Sequence, residues 1–225
     1  MSLILIADTE TTDVDPDAQV IELGFHHINE ELNILNSYES RVKATKPISP
    51  SAAGTHGITD AMLVDCPTMA EVMHTLKEHM GADFQDVFLI AHNAQFDQRM
   101  LAGVWNVTRV LCTLRAARKY IPEAPDHKLQ TLKYLLNFSA GSKAHSALGD
   151  VQTVYELLLY LLDKTGLSLC ELQLDVSQPV LHTTMPFGKH KGVRLDRLSY
   201  GYKQWLLGLP DLDSDLRSSL IGRTK

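Results

Sequence analysis

The sequence predicts an α/β fold: a mixed five-stranded sheet flanked by helices, followed by a small module at the C-terminal end. Two patterns carry this reading. Residues 3–7, 19–28 and 34–43 form three strands in succession with a short polar turn at Asn29-Glu30-Glu31, the pattern of an antiparallel meander. Helical and short apolar segments then alternate, which adds parallel strands and covers the sheet with helices.

Each element has its own signal. Residues 3–7, Leu-Ile-Leu-Ile-Ala, are apolar at every position, as in a strand buried on both faces, and the run ends at Asp8. Pro47-Ile48-Ser49-Pro50 breaks the strand pattern, and residues 51–56 form a short helix stopped at Gly57. Thr68 suits an N-cap and Glu71 the reciprocal place of a capping box, for a helix reaching about His79. Residues 87–91 are a fourth buried strand, 95–101 a helix, 110–113 the fifth strand, and 114–120 and 128–136 two further helices. The longest helix spans about 148–164, with Val151, Val154, Tyr155, Leu158, Leu161 and Leu162 on one face and Gly166 as its C-terminal cap. Residues 1–166 therefore form one domain. Residues 167–184 read as a linker with its boundary at Ser177-Gln178-Pro179, and residues 185–225 as a small basic module packed on Phe187, Tyr202 and Trp205.

Composition sets limits. With 225 residues, 44% of them hydrophobic and 21% charged, the chain has material for a sizeable core. No stretch reaches the roughly 18 uninterrupted apolar residues of a membrane span. The apolar start at residues 1–7 lacks the basic residues and cleavage site of a signal peptide. Cys66, Cys112 and Cys170 are odd in number and lack metal-finger spacing, so reduced core thiols and a cytoplasmic location are expected. The net charge of −6 is the opposite of a general nucleic-acid footprint. Carboxylates gathered for a cation site contribute to it, and from residue 186 onward eight basic residues stand against four acidic ones.

Three acidic segments carry the chemistry. Asp8-Thr9-Glu10 follows a buried strand, and side chains two apart on an extended backbone share a face, so both carboxylates converge. Bare carboxylates at one spot repel and need protons or cations to coexist. Asn93-Ala94-Gln95-Phe96-Asp97 follows another buried strand, with Asn93 suited to an N-cap and Asp97 in the first helical turn. Asp97 has two readings there: a partner of the helix dipole, or a site residue at a strand end. His145 and Asp150 are five apart, about 140° around a helix, so both reach one site only if His145 lies on the loop and Asp150 just inside the helix.

Together these segments spell Asp-Thr-Glu-Thr, Asn-Ala-x-Phe-Asp and His-x-Ala-x-x-Asp, in that order. They resemble the three motifs of the histidine-containing branch of the Asp-Glu-Asp-Asp exonuclease superfamily, which includes polymerase proofreading subunits, oligoribonuclease and ribonuclease T. The resemblance covers residues 3–162. Pro47-Ile48-Ser49-Pro50 with His56-Gly57-Ile58-Thr59 is similar to the segment joining the first two motifs in proofreading-type members. Phe187-Gly188-Lys189-His190-Lys191-Gly192, with Tyr202 and Trp205-Leu206, resembles the C-terminal module of the exodeoxyribonuclease X-like group.

The resemblance implies an RNase H-like fold and 3′–5′ hydrolysis of phosphodiester bonds with two Mg²⁺ or Mn²⁺ ions. It implies Asp8, Glu10, Asp97 and Asp150 as the ligands and His145 as general base. Hard carboxylate oxygens suit these cations, whereas zinc prefers histidine and cysteine. The implied substrate is the 3′ end of DNA, with RNA as the alternative. Thr9, Thr11 and Asn93 are placed to hold the terminal nucleotide, and Val14 stands where relatives carry an apolar wedge, although Asp13 and Asp15 flank it. Phe96 either stacks on a base or fills the core. His56 either contacts sugar or phosphate or caps its loop. Lys189 and Lys191 either hold a strand or are a solvated face. A second copy of the chain, or a polymerase or repair protein, is the kind of partner implied; no membrane is.

Two rival classes are available. A haloacid dehalogenase-type phosphatase uses a strand-end Asp as nucleophile, but its usual second Asp is here Glu10, and it leaves His145 and the three-strand opening unused. A non-catalytic binding module on the same fold has no need of carboxylates at all four positions.

Overall fold

The computed structural model describes residues 2–81, 83–138, 146–178, 181–209 and 212–222. The chain divides into two compact units, Met1–Gln173 and Leu174–Lys225.

The first unit is built on strands β1 (Leu3–Thr11), β2 (Val20–Ile28), β3 (Ile34–Arg41), β4 (Val87–Ala91) and β5 (Val107–Cys112), in the spatial order β3-β2-β1-β4-β5. β1, β2 and β3 pair antiparallel; β4 pairs parallel with both β1 and β5. The unit's helices are α1 (Pro50–His56), α2 (Met69–Met80), α3 (Gln95–Leu101), α4 (Thr113–Tyr120), α5 (Leu129–Leu135) and α6 (Ala147–Thr165), and the boundary between the units falls within α7 (Leu169–Ser177). This is the mixed five-stranded sheet with flanking helices that the sequence predicts.

Local signals set most of the ends. The Thr68 side chain accepts from Glu71 N while the Glu71 carboxylate accepts from Thr68 N, closing the expected capping box on α2. Ser49 caps α1, and Gly166 ends α6 at φ 67°. β1 runs four residues past the strand read from sequence, to Thr11. Its acidic stretch is held extended by β2, which pairs Asp8 with Gly24, Glu10 with Glu22 and Thr11 with Val20. Cross-strand hydrogen bonding here outweighs the low strand preference of acidic residues. Residues 167–184 also differ from expectation, because α7 occupies half of them and buries Leu172 and Val176.

The alternation of β1 divides its side chains between two layers. Leu5 and Ala7 join Leu23, Phe25, Leu89, Phe84, Trp105 and the α2 residues Val72, Met73 and Leu76 in one core. Phe84 stacks on Trp105 at 5.6 Å, and Phe25 meets Trp105 edge-on at 5.8 Å. Asp8 and Glu10 point to the opposite layer, where α6 packs on β1 and β2. The buried face of α6 holds Val151, Val154, Leu157, Leu158 and Leu161. Leu157 replaces the expected Leu162, and Tyr155 is half-buried, its hydroxyl donating to Leu32 O at 3.0 Å.

One backbone position decides how closely α6 approaches. A Cβ at Gly24 would lie 2.6 Å from both Ala147 C and Leu148 N, so only glycine lets the start of α6 rest on β2.

The second unit contains α8 (Tyr200–Leu207) and α9 (Ser214–Ile221) around Met185, Leu195, Leu198, Leu206, Leu212, Leu216 and Leu220. This core is aliphatic. Tyr202 packs against it, but Phe187 and Trp205, read from sequence as its centre, are 46% and 57% exposed. Of the cysteines, all unbridged, only Cys112 is buried; Cys170 is exposed, contrary to its reading as a core thiol. Among the described residues no helix is long and apolar enough to cross a membrane.

Two glycine substitutions separate close approach from simple helix propensity. Gly24→Ala is expected to lower stability in urea by about 1–3 kcal/mol through overpacking. Gly54→Ala, in α1 with nothing near its Cβ position, is expected to raise stability by about 0.5–1 kcal/mol. Equal effects at the two positions would show that α6 does not depend on the glycine contact.

Candidate active site

The β1–β4 ladder ends at the Ile6–Ile90 pair, and beyond it the carboxyl ends of the two strands separate. Such an opening is where α/β sheets place ligands. Asp8 and Glu10 extend into it from β1, and Asp150 enters from the first turn of α6. One oxygen from each of these three carboxylates lies within 4.8 Å of the others. Asp97, in the first turn of α3, is buried beside them. Its Oδ1 accepts from Thr9 N at 3.1 Å and from Thr9 Oγ1 at 2.8 Å. The Thr9 amide faces the side that β4 no longer covers, and the Asp97 carboxylate takes the place of the missing ladder partner.

Asp150 is placed by the docking of its helix. Ala147 N donates to Glu22 Oε2 at 3.0 Å, Leu148 N to Glu39 Oε1 at 3.0 Å, and Gly149 N to Ser146 Oγ at 3.3 Å. These groups satisfy N–H donors that a helix start leaves open, and the two carboxylates also favour the positive end of the helix dipole. Gln130 Nε2 on α5 donates to Asp150 Oδ1 at 2.7 Å and orients that carboxylate. Gly24, Glu22, Glu39 and Gln130 were not singled out from sequence. Their roles depend on which residues face each other across β2, β3 and α6, and single-chain spacing carries no such register.

The electrostatics follow from crowding. Burial, and then the charges of Asp97, Asp150, Glu10 and Glu22, hold the Asp8 carboxyl well above its usual range. Burial, Asp150, Glu22 and Asp97 push Glu10 up to about 7. Burial raises Asp97 to about 7, against the opposing pull of the Thr9 hydrogen bonds. Among the described residues, no lysine or arginine is among the charges acting on Asp8 or Glu10. A cluster of hard oxygen donors with unrelieved like charge fits divalent cations such as Mg²⁺ or Mn²⁺.

The remaining sequence candidates fall into distinct places. Asn93 is exposed at φ 71° and does not cap α3; the N-cap position is Ala94, which makes no side-chain cap. Asparagine there serves a left-handed turn that it tolerates better than most residues. His56 is buried, with Nδ1 accepting from Ile58 N at 3.0 Å and Nε2 donating to Thr11 O at 3.3 Å, so its ring locks the loop onto the end of β1. Thr11 is buried and donates to Asp13 O at 2.6 Å. Val14 is 72% exposed, and its carbonyl accepts from Arg99 Nη2 at 3.1 Å. Arg99 also lies 5.3 Å over the half-buried Phe96 ring, making one patch of Val14, Arg99 and Phe96. Arg99 supplies a cation at the Val14 carbonyl that the sequence reading did not identify. Lys189 and Lys191 belong to the second unit, and His145 lies outside the described residues.

The sheet order and acidic cluster agree with sequence comparison. A model of the RNase_T exonuclease family matches residues 5–158, and the chain belongs to that family. It is a nucleic-acid phosphodiester hydrolase of the 3′–5′ exonuclease type. Over 228 residues it is 28% identical to Exodeoxyribonuclease 10 of Escherichia coli K12, covering 97% of each chain. It is 29% identical to DNA polymerase III PolC-type of Bacillus subtilis strain 168, over 70% of this chain but 11% of that one. Among solved structures, Exonuclease X in complex with 5′ overhanging duplex DNA is similar, with a TM-score of 0.63 and 25% identity. It covers 78% of this chain and 99% of the other. Exonuclease I of E. coli with a dT13 oligonucleotide shares the fold at a TM-score of 0.62 and 16% identity, over 74% and 42% of the two chains. The phosphatase reading is set aside by the family match.

Cation binding is expected to track the carboxyl titration. Raised folded-state values for Glu10 and Asp97 mean that their protonated forms stabilise the metal-free fold below the ordinary carboxylate range, and that this contribution is lost as pH rises through about 7. Cations compete with those protons. The rise in melting temperature on adding Mg²⁺ or Mn²⁺ should therefore be larger at pH 8 than at pH 5.5, and Glu10→Gln should shrink the pH 8 shift. A shift independent of pH and of Glu10 would count against this cluster as the cation site.

Proposed function

We propose that the chain removes nucleotides one at a time from 3′ ends of DNA, releasing 5′-mononucleotides, with a pair of Mg²⁺ or Mn²⁺ ions held by Asp8, Glu10, Asp97 and Asp150. The observation that carries this reading is the convergence of Asp8, Glu10 and Asp150 oxygens within 4.8 Å, with buried Asp97 alongside. When bound, the ions supply charge neutralisation at the phosphate and leaving oxygen and lower the pKa of water. The chain's own residues do the rest. Thr9 fixes the Asp97 carboxylate through two hydrogen bonds, and Gln130 fixes one oxygen of Asp150. His145 takes the proton from the attacking water, a role suited to an imidazole whose ordinary pKa lies near neutrality. Thr9, Thr11 and Asn93 border the place of the terminal nucleotide, and the Val14–Arg99–Phe96 patch receives the neighbouring base and phosphate.

DNA is favoured because the Escherichia coli relative is named an exodeoxyribonuclease and the Exonuclease X neighbour was solved with duplex DNA. Cytoplasmic residence, supported by three unbridged cysteines, and a polymerase or repair partner, supported by the polymerase-type relatives, belong to the same proposal.

The test uses 5′-labelled DNA and RNA oligonucleotides, single-stranded and duplex, with Mg²⁺ and with chelator. A ladder shortening from the 3′ end, abolished by chelator and stronger on DNA, is expected. Asp8→Asn should remove activity, and His145→Ala should lower turnover about 10²- to 10⁴-fold while retaining the cation-induced thermal shift. Cleavage that persists in chelator would overturn the metal mechanism. A His145→Ala rate equal to the parent would remove the assigned base.

A further inference from the structure

The second unit carries an aromatic and basic surface that, apart from Tyr202, its aliphatic core does not use. The segment Phe187-Gly188-Lys189-His190-Lys191-Gly192 is a rigid turn. Gly188 and Gly192 take φ 70° and 81°, Lys191 N donates to Gly188 O at 3.0 Å, and Gly192 N donates to Met185 O at 2.9 Å. A bridge between Thr184 and Arg194 closes its base. At the turn's tip the His190 ring lies 4.6 Å from the Tyr202 ring, and Tyr202 stacks on Trp205 at 5.4 Å and 23°. Tyr202 and Trp205 are three apart on α8 and so share a face. The three rings form a row that ends on the 57% exposed Trp205.

Charge points the same way. Lys189 and Lys191 flank His190, both exposed, and neither has an acidic partner among the described residues. Three of the unit's acids are otherwise engaged: Asp196 with Arg194 at 2.6 Å, Asp213 in capping α9, and Asp215 buried. The aliphatic cluster is complete without Phe187 or Trp205. Basic side chains beside open aromatic faces are the means by which single strands are held, by pairing with phosphates and stacking on bases.

We propose that Trp205, Tyr202 and His190, with Lys189 and Lys191, form a docking surface for single-stranded DNA outside the acidic cluster. The inference rests on the exonuclease reading for its relevance, but its binding chemistry is separate from cleavage. Trp205 offers its open face to a base, and the lysines contact phosphates on either side of the tip.

The full chain is titrated, with chelator present, against fluorescein-labelled dT20 by anisotropy, so that binding is read without hydrolysis. Trp205→Ala is expected to weaken binding about 5- to 160-fold, the range of one lost base stack, and Trp205→Phe to restore most of it. Lys189→Ala with Lys191→Ala should reduce the slope of log affinity against log salt by about 1.4, two single-strand phosphate contacts. Affinity and salt slope unchanged in both variants would overturn the surface. Binding of rU20 in place of dT20, with the same sensitivity to Trp205→Ala, would overturn the assignment to DNA. Failure of the 3′-end ladder with intact, Trp205-dependent binding would sink the nuclease reading and leave this surface standing.

Discussion

Like charge held together by packing is the constraint on which the rest of this structure depends. Asp8 and Glu10 share a face of β1 because an extended backbone brings every second side chain to the same side. Asp150 is carried toward them by α6, which packs chiefly on β1 and β2 and also meets α4 and α5. Burial and mutual repulsion raise the carboxyls of Asp8 and Glu10, so the fold maintains at neutral pH an arrangement that opposes itself when cations are absent. The hydrophobic contacts of Val151, Val154, Leu157, Leu158 and Leu161 are what offset that opposition.

The close approach has a specific cause at each end of the helix start. Gly24 removes the side chain that would hold α6 away, and Glu22 and Glu39 take its first amides. Glu22 thereby has two effects. It anchors the helix that brings Asp150, and its charge raises Glu10, its cross-strand partner. Arg41 lies 3.4 Å from Glu22 and partly balances it from β3. Asp97 is governed differently, by the two Thr9 bonds where the parallel ladder runs out. The four acids thus come from different kinds of local structure, and their meeting point is fixed by the order of strands.

Much of this was legible in the sequence because it depends on short periods. The period of two placed Asp8 and Glu10 together, buried runs located β1 and β4, and the helical period located α6. What escaped depends on relations between distant segments. The extension of β1 to Thr11 comes from pairing with β2, and the function of Gly24 from a helix more than a hundred residues later. Arg99 became visible only when α3 set it against the carbonyl of Val14. Residue type misled at Phe187 and Trp205, since aromatic character suggests a core while the actual core of that unit is leucine. At Asn93 the residue type was informative but for another reason, a left-handed backbone rather than a cap.

The acidity of the chain has a consequence for how it meets a polyanion. Its net charge is −6, and its acidic cluster repels phosphate wherever cations do not neutralise it. Affinity for a strand must therefore come from groups outside the cluster, and the sequence distributes them accordingly. Arg99 stands over Phe96 beside Asp97, and the second unit exposes Lys189 and Lys191, while Asp196 is paired, Asp213 caps a helix and Asp215 is buried. Because Coulomb energy weakens with distance and salt screens it within about 10 Å at 0.1 M, an overall negative charge and a locally attractive surface coexist without contradiction. The sign that matters to a bound strand is that of the nearest few side chains, and net composition is a poor guide to it.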